Sequence, residues 1–285
     1  MTARKDKEEV VSMAGIINWN ELWKMLRLSS PWRRTFDEQG SFWDRRAKRF
    51  NEFMMQNRER TERQIAKIKL APEYTVLDVG AGTGRLAIPI ARKVKSVTAI
   101  DPSKGMLACL RENMEKEGVK NITCINKRWE DVELGVDIEP HDVVIASHSL
   151  VMLDMQEALA KMDAAAKKYV YIFTFAGRWM DRGLWEKIHG EKLLSWSDYI
   201  YLYNILHDMG IYANVEIWDA EYEQRYKSLD EAVTKMKEMY DLPSEKEEIL
   251  REHLSKILVK EDDGTLCLRR KSKIAMIWWE KNAHG

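Results

Sequence analysis

Residues 76–91 read VLDVGAGTGRLAIPIA, and residues 97–101 read VTAID. The run Val76-Leu77-Asp78-Val79 is short, apolar and ended by glycines, which is the pattern of a buried strand. Gly80, Gly82 and Gly84 follow it. Leu86 to Val94 then has helical spacing, with Pro89 in the first turns, where its missing N–H is tolerated. A loop of this kind between strand and helix brings backbone N–H groups close to a ligand, because no Cβ blocks the approach. Asp101 closes the next strand, 21 residues after Gly80. A carboxylate there can accept hydrogen bonds from both ribose hydroxyls of a nucleoside.

A dinucleotide loop would carry G-x-G-x-x-G/A, but its last position is occupied here by Arg85. The pattern is instead Asp78-x-Gly80-x-Gly82-x-Gly84. With Asp101 and the continuation Asp101-Pro102-Ser103-Lys104-Gly105-Met106-Leu107, it resembles the class I S-adenosylmethionine-dependent methyltransferases over about residues 70–180. The resemblance implies S-adenosyl-L-methionine as cofactor. It places Asp78 toward the methionine amino group, the glycine loop under the methionine and ribose, Asp101 on the ribose and Met106 on the adenine; core packing is the other role open to Met106. The family's third motif is altered, since Arg128 stands where an acid usually follows the third strand. In Lys127-Arg128-Trp129-Glu130-Asp131, the Trp129 backbone and indole can flank the adenine, or the ring can serve as a loop anchor. Glu130 or Asp131 can take the exocyclic amine.

Outward from the loop, strands and helices alternate. Strands are expected at Val97–Ile100, Ile122–Ile125, Asp142–Ala146 and Tyr169–Phe175, with helices at Lys104–Glu117, stopped by Gly118, and at Asp154–Lys168. Asp154 reads as a helix cap. Steady alternation predicts a parallel sheet covered on both faces. The expected fold is therefore a Rossmann-like, doubly wound, mostly parallel seven-stranded sheet. Before it, residues 1–70 form an N-terminal helical cap: one helix from Trp19 to the Ser30-Pro31 break, and a second from Ser41, capped by Asp44 and continuing to about Leu70, with a stripe Trp43, Ala47, Phe50, Met54. Residues 1–15 read as a frayed tail. Residues 71–220 form the cofactor-binding core, including a helix at 198–209 and a strand at Ile211–Trp218. Residues 221–263 are a helical insertion, broken at Pro243-Ser244, and residues 264–285 carry a final strand at Lys273–Glu280.

Composition excludes several classes. The chain has 285 residues, 46 basic and 46 acidic, so no global charge draws it to nucleic acid. Residues 31–70 carry eleven Lys or Arg against six Asp or Glu, while 219–263 carry eight against fourteen. Exposed helices commonly carry such charge without function. Cys109, Cys124 and Cys267 are far apart with no CxxC, which argues against a metal centre or a disulfide framework and for a reducing, cytoplasmic setting. No apolar run reaches the roughly 18 residues of a membrane span, and the N-terminus has no secretory pattern.

Methyl transfer from a sulfonium is an in-line displacement, and positioning can supply about 7–11 kcal/mol of the barrier. The reactive zone is expected at the carboxyl end of strand four, Ser147-His148-Ser149. His148 is the candidate catalytic residue, as a base or as a positioning group. Ser149 and Arg178 are candidate substrate contacts; Arg178 can fork onto a carboxylate or phosphate, or pair with an acid of the cap. No Pro-Pro follows strand four, which lowers the adenine, cytosine and glutamine amino groups as acceptors. Trp19, Trp23, Trp32, Phe42, Trp43, Phe50 and Phe53 of the cap, and Tyr199, Tyr201 and Tyr203 after strand five, are either core packing or a lid. A lid favours an enclosed small-molecule acceptor. A protein side chain, with residues 31–70 as docking surface, and a non-catalytic cofactor-binding scaffold are the alternatives.

Overall fold

The computed structural model describes residues 17–29, 39–55, 58–177, 182–190, 199–239 and 242–281. The expected tail, Trp32 and Arg178 lie outside them. Helix α1 spans Trp19–Ser29. It is followed by α2 (Gln39–Asp44), α3 (Ala47–Met55) and α4 (Arg58–Ile65). The sheet then begins with β1 (Thr75–Val79), α5 (Ala87–Ala91), β2 (Ser96–Ile100), α6 (Lys104–Glu117) and β3 (Ile122–Ile125). It continues with β4 (His141–Ser147), α7 (Met155–Ala164), β5 (Ala166–Phe175), α8 (Arg182–His189) and α9 (Tyr199–Asp208). The chain closes with β6 (Asn214–Tyr226), α10 (Leu229–Met239), α11 (Glu247–Ile257), β7 (Val259–Lys260) and β8 (Leu266–Glu280).

Strand order is β3-β2-β1-β4-β5-β8-β6, with the two-residue β7 pairing on β8. β1 to β5 are parallel, and β8 runs antiparallel to both β5 and β6. This is the doubly wound, mostly parallel sheet that the sequence implies. Period-two alternation sends Leu77 and Val79 to one face, with Met155, Leu159 and Leu202 of α7 and α9. Val76, Val97 and Val143 go to the other, with Leu107 and Leu110 of α6 and the segment Leu86–Ala91. The strand order reverses between β1 and β4, and a crevice opens there at the strands' carboxyl ends.

Three sequence expectations are corrected. The second cap helix is broken into α2, α3 and α4 rather than running from Ser41 to Leu70. Asp44 does not serve Ser41: its Oδ1 accepts from Ser103 Oγ at 2.6 Å and from Gly105 N at 2.7 Å. It thus supplies a carboxylate to the N-terminus of α6, where the helix dipole favours negative charge. The last strands are also far longer than expected. β6 and β8 pair continuously from Asn214↔Trp278 to Tyr226↔Leu266, whereas β5 pairs with β8 only as far as Phe175↔Ile274. The remainder is a two-stranded ribbon that overhangs the crevice. Its polar sequence hid it, but opposite charges face each other across the ladder: Lys273–Asp219 at 2.6 Å, Lys271–Glu221 at 3.2 Å and Arg269–Glu223 at 3.0 Å. At its far end α8, α10 and α11 enclose a satellite core with Tyr226 and Leu268. Among the described residues no helix is long and apolar enough to cross a membrane.

Candidate active site

The cap helices grip the carboxyl end of the sheet. Asn20 Oδ1 of α1 accepts from Met155 N and Gln156 N, both at 3.0 Å. Trp23 Nε1 donates to Met152 O at 2.9 Å, and Arg27 Nη2 donates to Val151 O at 2.6 Å. Together they pin the segment that follows Ser147-His148-Ser149. Asp154 caps α7, accepting from Glu157 N at 3.0 Å, as its position implied. Helix α3 packs Ala47 and Phe50 on Met106 and Cys109, and α4 reaches His148 through Arg60 and β6 through Arg63.

Between cap and sheet lies a cavity of about 460 Å³, within the roughly 300–1,000 Å³ of small-molecule sites. Its walls include Asp78, Gly80, Gly82, Asp101, Met106, Trp129 and Glu130 at one end and His148 and Ser149 at the other. The structure therefore brings together the predicted residues, with two exceptions. Arg178 lies outside the described residues. Gly84 faces away from the cavity: a Cβ on it would come within 2.2 Å of Leu110 Cδ1, so this glycine admits α6 rather than a ligand. Of the candidate lid aromatics, Trp23, Phe42, Trp43, Phe50 and Phe53 line the cavity. Trp19 instead makes an edge contact with Tyr201, and Tyr199, Tyr201 and Tyr203 pack on the α7–α9 core.

At the loop end, Asp101 Oδ2 accepts from Gly82 N at 2.8 Å and Oδ1 from Ser103 N at 2.9 Å. These bonds hold the loop against β2. Burial raises its carboxyl to about 6, against the pull of the two N–H groups. Asp78 is 2% exposed, and no donor among the described residues bonds its oxygens. Burial raises it to about 7, opposed by the positive charge of Arg85. Trp129 is buried, its Nε1 donating to Ala158 O at 3.1 Å, so its indole is anchored in α7. Glu130 Oε1 accepts from Arg128 Nη2 at 2.9 Å, while its Oε2 is buried without a partner. Asp131 is exposed.

Sequence reading missed the cations. Arg85 donates to Gln64 Oε1 at 2.6 Å, Ser147 Oγ at 2.7 Å and Thr61 Oγ1 at 3.2 Å. Burial, with Arg60 nearby, lowers its guanidinium to about 9. Arg60 contacts His148 Nε2 and lies 4.8 Å over the Tyr222 ring. The signal for Arg85 was its place directly after the third glycine; for Arg60 there was none, because α4 reads as a charged surface helix. His148 has a left-handed backbone, φ 56°, which costs a non-glycine residue about 1–2 kcal/mol. Its N–H is fixed by Phe173 O at 2.8 Å, and its ring lies 4.4 Å from that of Phe175. Burial, with Arg60 and Arg85, holds the imidazole well below its usual range, so the ring is neutral. Since arginine only donates, Nε2 is the acceptor and Nδ1 carries the proton.

The Asp78 shift has a stability consequence. Its folded-state value lies above the unfolded one, so folding favours the protonated acid. The contribution of Asp78 to ligand-free stability is thus fully present below the unfolded value and is lost as pH rises through about 7. Thermal melts between pH 5 and pH 8 are expected to show the wild type losing stability relative to Asp78→Asn as pH rises, since Asp101 and His148 contribute alike in both. An equal slope in the variant would remove Asp78 as the source of that loss.

Residues 76–168 match the family described as "Methyltransferase domain". A protein of Haemophilus influenzae is 33% identical over 181 residues, covering 63% of this chain and 66% of its own length. The probable cobalt-precorrin-6B C(15)-methyltransferase (decarboxylating) of Methanocaldococcus jannaschii is 38% identical over 68 residues, covering 24% and 37%. The chain thus spans less than two thirds of the length of these relatives. A crystal structure from Bacillus halodurans superposes with a TM-score of 0.51 at 18% identity, over 80% of this chain and all of the other, which shows a shared fold. Sheet order, glycine loop and the acid ending β2 define a protein built to hold a nucleoside at the β1/β4 crevice. With the family match, residues 76–168 form a methyltransferase domain, and the fold around it is that of the class I S-adenosylmethionine-dependent methyltransferases.

Proposed function

We propose that this protein transfers the methyl group of S-adenosyl-L-methionine to an enclosed small-molecule acceptor. The carrying observation is the single cavity that runs from the glycine loop to His148 under a roof of cap aromatics. The residues fit the cofactor. Asp78 offers a buried, unpartnered carboxylate to the ammonium of the methionine head, with the Arg85 charge beside it for the carboxylate. Asp101 keeps lone pairs for the ribose, and Glu130 Oε2 is an orphaned acceptor for the adenine amine. When bound, the cofactor supplies an electrophilic methyl on a sulfonium. The chain's own contribution is to orient the acceptor behind that methyl and exclude water.

In this reading His148 positions. Its Nε2 is engaged by Arg60 and its proton sits on Nδ1, so it presents a donor rather than a base. Ser149 Oγ donates to Val79 O at 2.5 Å and braces the loop. The basic segment formed by α4 and the residues just after it is not a free docking face: Arg63 and Lys67 lie over the Trp218 ring at 5.4 Å and 5.2 Å, and Lys67 pairs with Glu216. This supports a small acceptor over a protein side chain, as does the relative named for a cobalt-precorrin. The separated cysteines, two of them buried, fit a reducing, cytoplasmic setting.

The test is incubation of the protein with methyl-labelled cofactor and fractionated extract of its host. Label is expected in a small-molecule fraction. Label recovered in protein would replace this reading with the side-chain alternative, and no transfer to any fraction would favour a binding scaffold.

A further inference from the structure

The cavity end away from the glycine loop holds an unusual set of orphaned groups. Arg60 Nε, His148 Nδ1, Tyr222 Oη and Ser272 Oγ are buried and have no hydrogen-bond partner, and all four residues line the same cavity. They are contiguous. Arg60 contacts His148 and lies over the Tyr222 ring. The ladder register Ala220↔Ser272 and Tyr222↔Arg270 makes Tyr222 and Ser272 diagonal neighbours on one ribbon face.

All four atoms are donors, or in the hydroxyls can be. Neither Arg60 nor Arg85 forms an ion pair among the described residues, and their charges repel each other. The acids of the cavity wall, Asp78, Asp101 and Glu130, all stand at the cofactor end. A buried guanidinium with no counter-ion is costly, and buried polar groups are normally satisfied. A cluster made only of donors and positive charge lacks an oxyanion. Beside them Phe173, Phe175 and Leu268 add apolar wall, and Gln224, Arg270 and Lys271 of the ribbon also line the cavity.

We propose that Arg60, Tyr222, Ser272 and His148 form a subsite for an acid group, carboxylate or phosphate, carried by an otherwise apolar acceptor. The ribbon that overhangs the crevice is then a specificity element: it supplies Tyr222 and Ser272 from outside the cofactor-binding core. The inference rests on the acceptor-pocket reading above.

The experiment is calorimetric titration with arylalkanoic acids of increasing length, their neutral amides and the corresponding aryl phosphates, with and without S-adenosylhomocysteine. Acids or phosphates are expected to bind at least tenfold more tightly than the amides, and the tighter series names the acid group. Arg60→Met is expected to erase that preference while leaving affinity for S-adenosylhomocysteine within about twofold. Tyr222→Phe, which keeps the ring, should reduce the preference severalfold and serves if the Arg60 variant fails to fold. Equal binding of acids and amides would overturn the proposal. So would a tenfold loss of S-adenosylhomocysteine affinity in Arg60→Met, which would give Arg60 to the cofactor's own carboxylate. Failure of the wild type to bind S-adenosylhomocysteine counts separately against the methyltransferase reading, because the acid preference is also measured without it.

Discussion

Alanine at Gly80 is expected to lower the melting temperature by on the order of 10 °C and to abolish cofactor binding. Two independent costs meet at this position. Its φ of 73° is left-handed, worth about 1–2 kcal/mol against any residue with a Cβ. That Cβ would also lie 2.2 Å from Ser149 Cβ and 2.8 Å from Ser149 Oγ. Ser149 cannot retreat freely, because its hydroxyl is bonded to Val79 O and its neighbour His148 is fixed by Phe173 O. Overpacking of this kind costs about 1–3 kcal/mol, and each kcal/mol shifts melting by roughly 2–4 °C in a chain of this size. Gly82 is the control. Its φ of 56° carries the same backbone cost, but the nearest atom to an added Cβ is Phe50 Cε1 at 3.8 Å. Gly82→Ala should therefore keep more stability than Gly80→Ala while still obstructing the loop. Equal melting of Gly80→Ala and wild type would show that the loop and the β4 segment are not packed as described.

Asp101→Ala is expected to weaken cofactor binding by about 1.5–3 kcal/mol, on the order of 10–100-fold, the worth of a hydrogen bond to a charged group. Two effects add. The carboxylate that the proposed site offers to the ribose is gone, and Gly82 N and Ser103 N lose the acceptor that holds loop and β2 together. The fold should survive, because burial already strains this acid, raising it to about 6. Removing it relieves that penalty, which offsets part of the loss of its bonds to Gly82 N and Ser103 N. Unchanged affinity would remove Asp101 from the cofactor site.

The core of the fold was legible because its signals are local. The apolar run Val76–Val79, the glycines after it and the stop at Gly118 each specify geometry within a few residues, and β3 and α6 fall where their sequence places them. The long ribbon was not legible. Its residues alternate charge with aromatics, and only the cross-strand register reveals that Glu221, Glu223 and Asp219 face Lys271, Arg269 and Lys273. Asp44 was misassigned for a related reason. Its partner is three residues away by local capping logic, but about sixty away in the chain once α2 packs on α6. The proposed cofactor half of the site was readable because short local motifs after β1, β2 and β3 write it. The far half is assembled from α4, β4, β6 and β8, and Arg60 has no neighbour in sequence that marks it as buried.

Calorimetric titration of the purified chain with S-adenosylmethionine and S-adenosylhomocysteine tests the central claim most directly. The account predicts saturable binding of both at one site per chain, with affinity rising roughly tenfold from pH 6 to pH 8 as Asp78 ionises near 7. Absence of binding to either form across that range would contradict it.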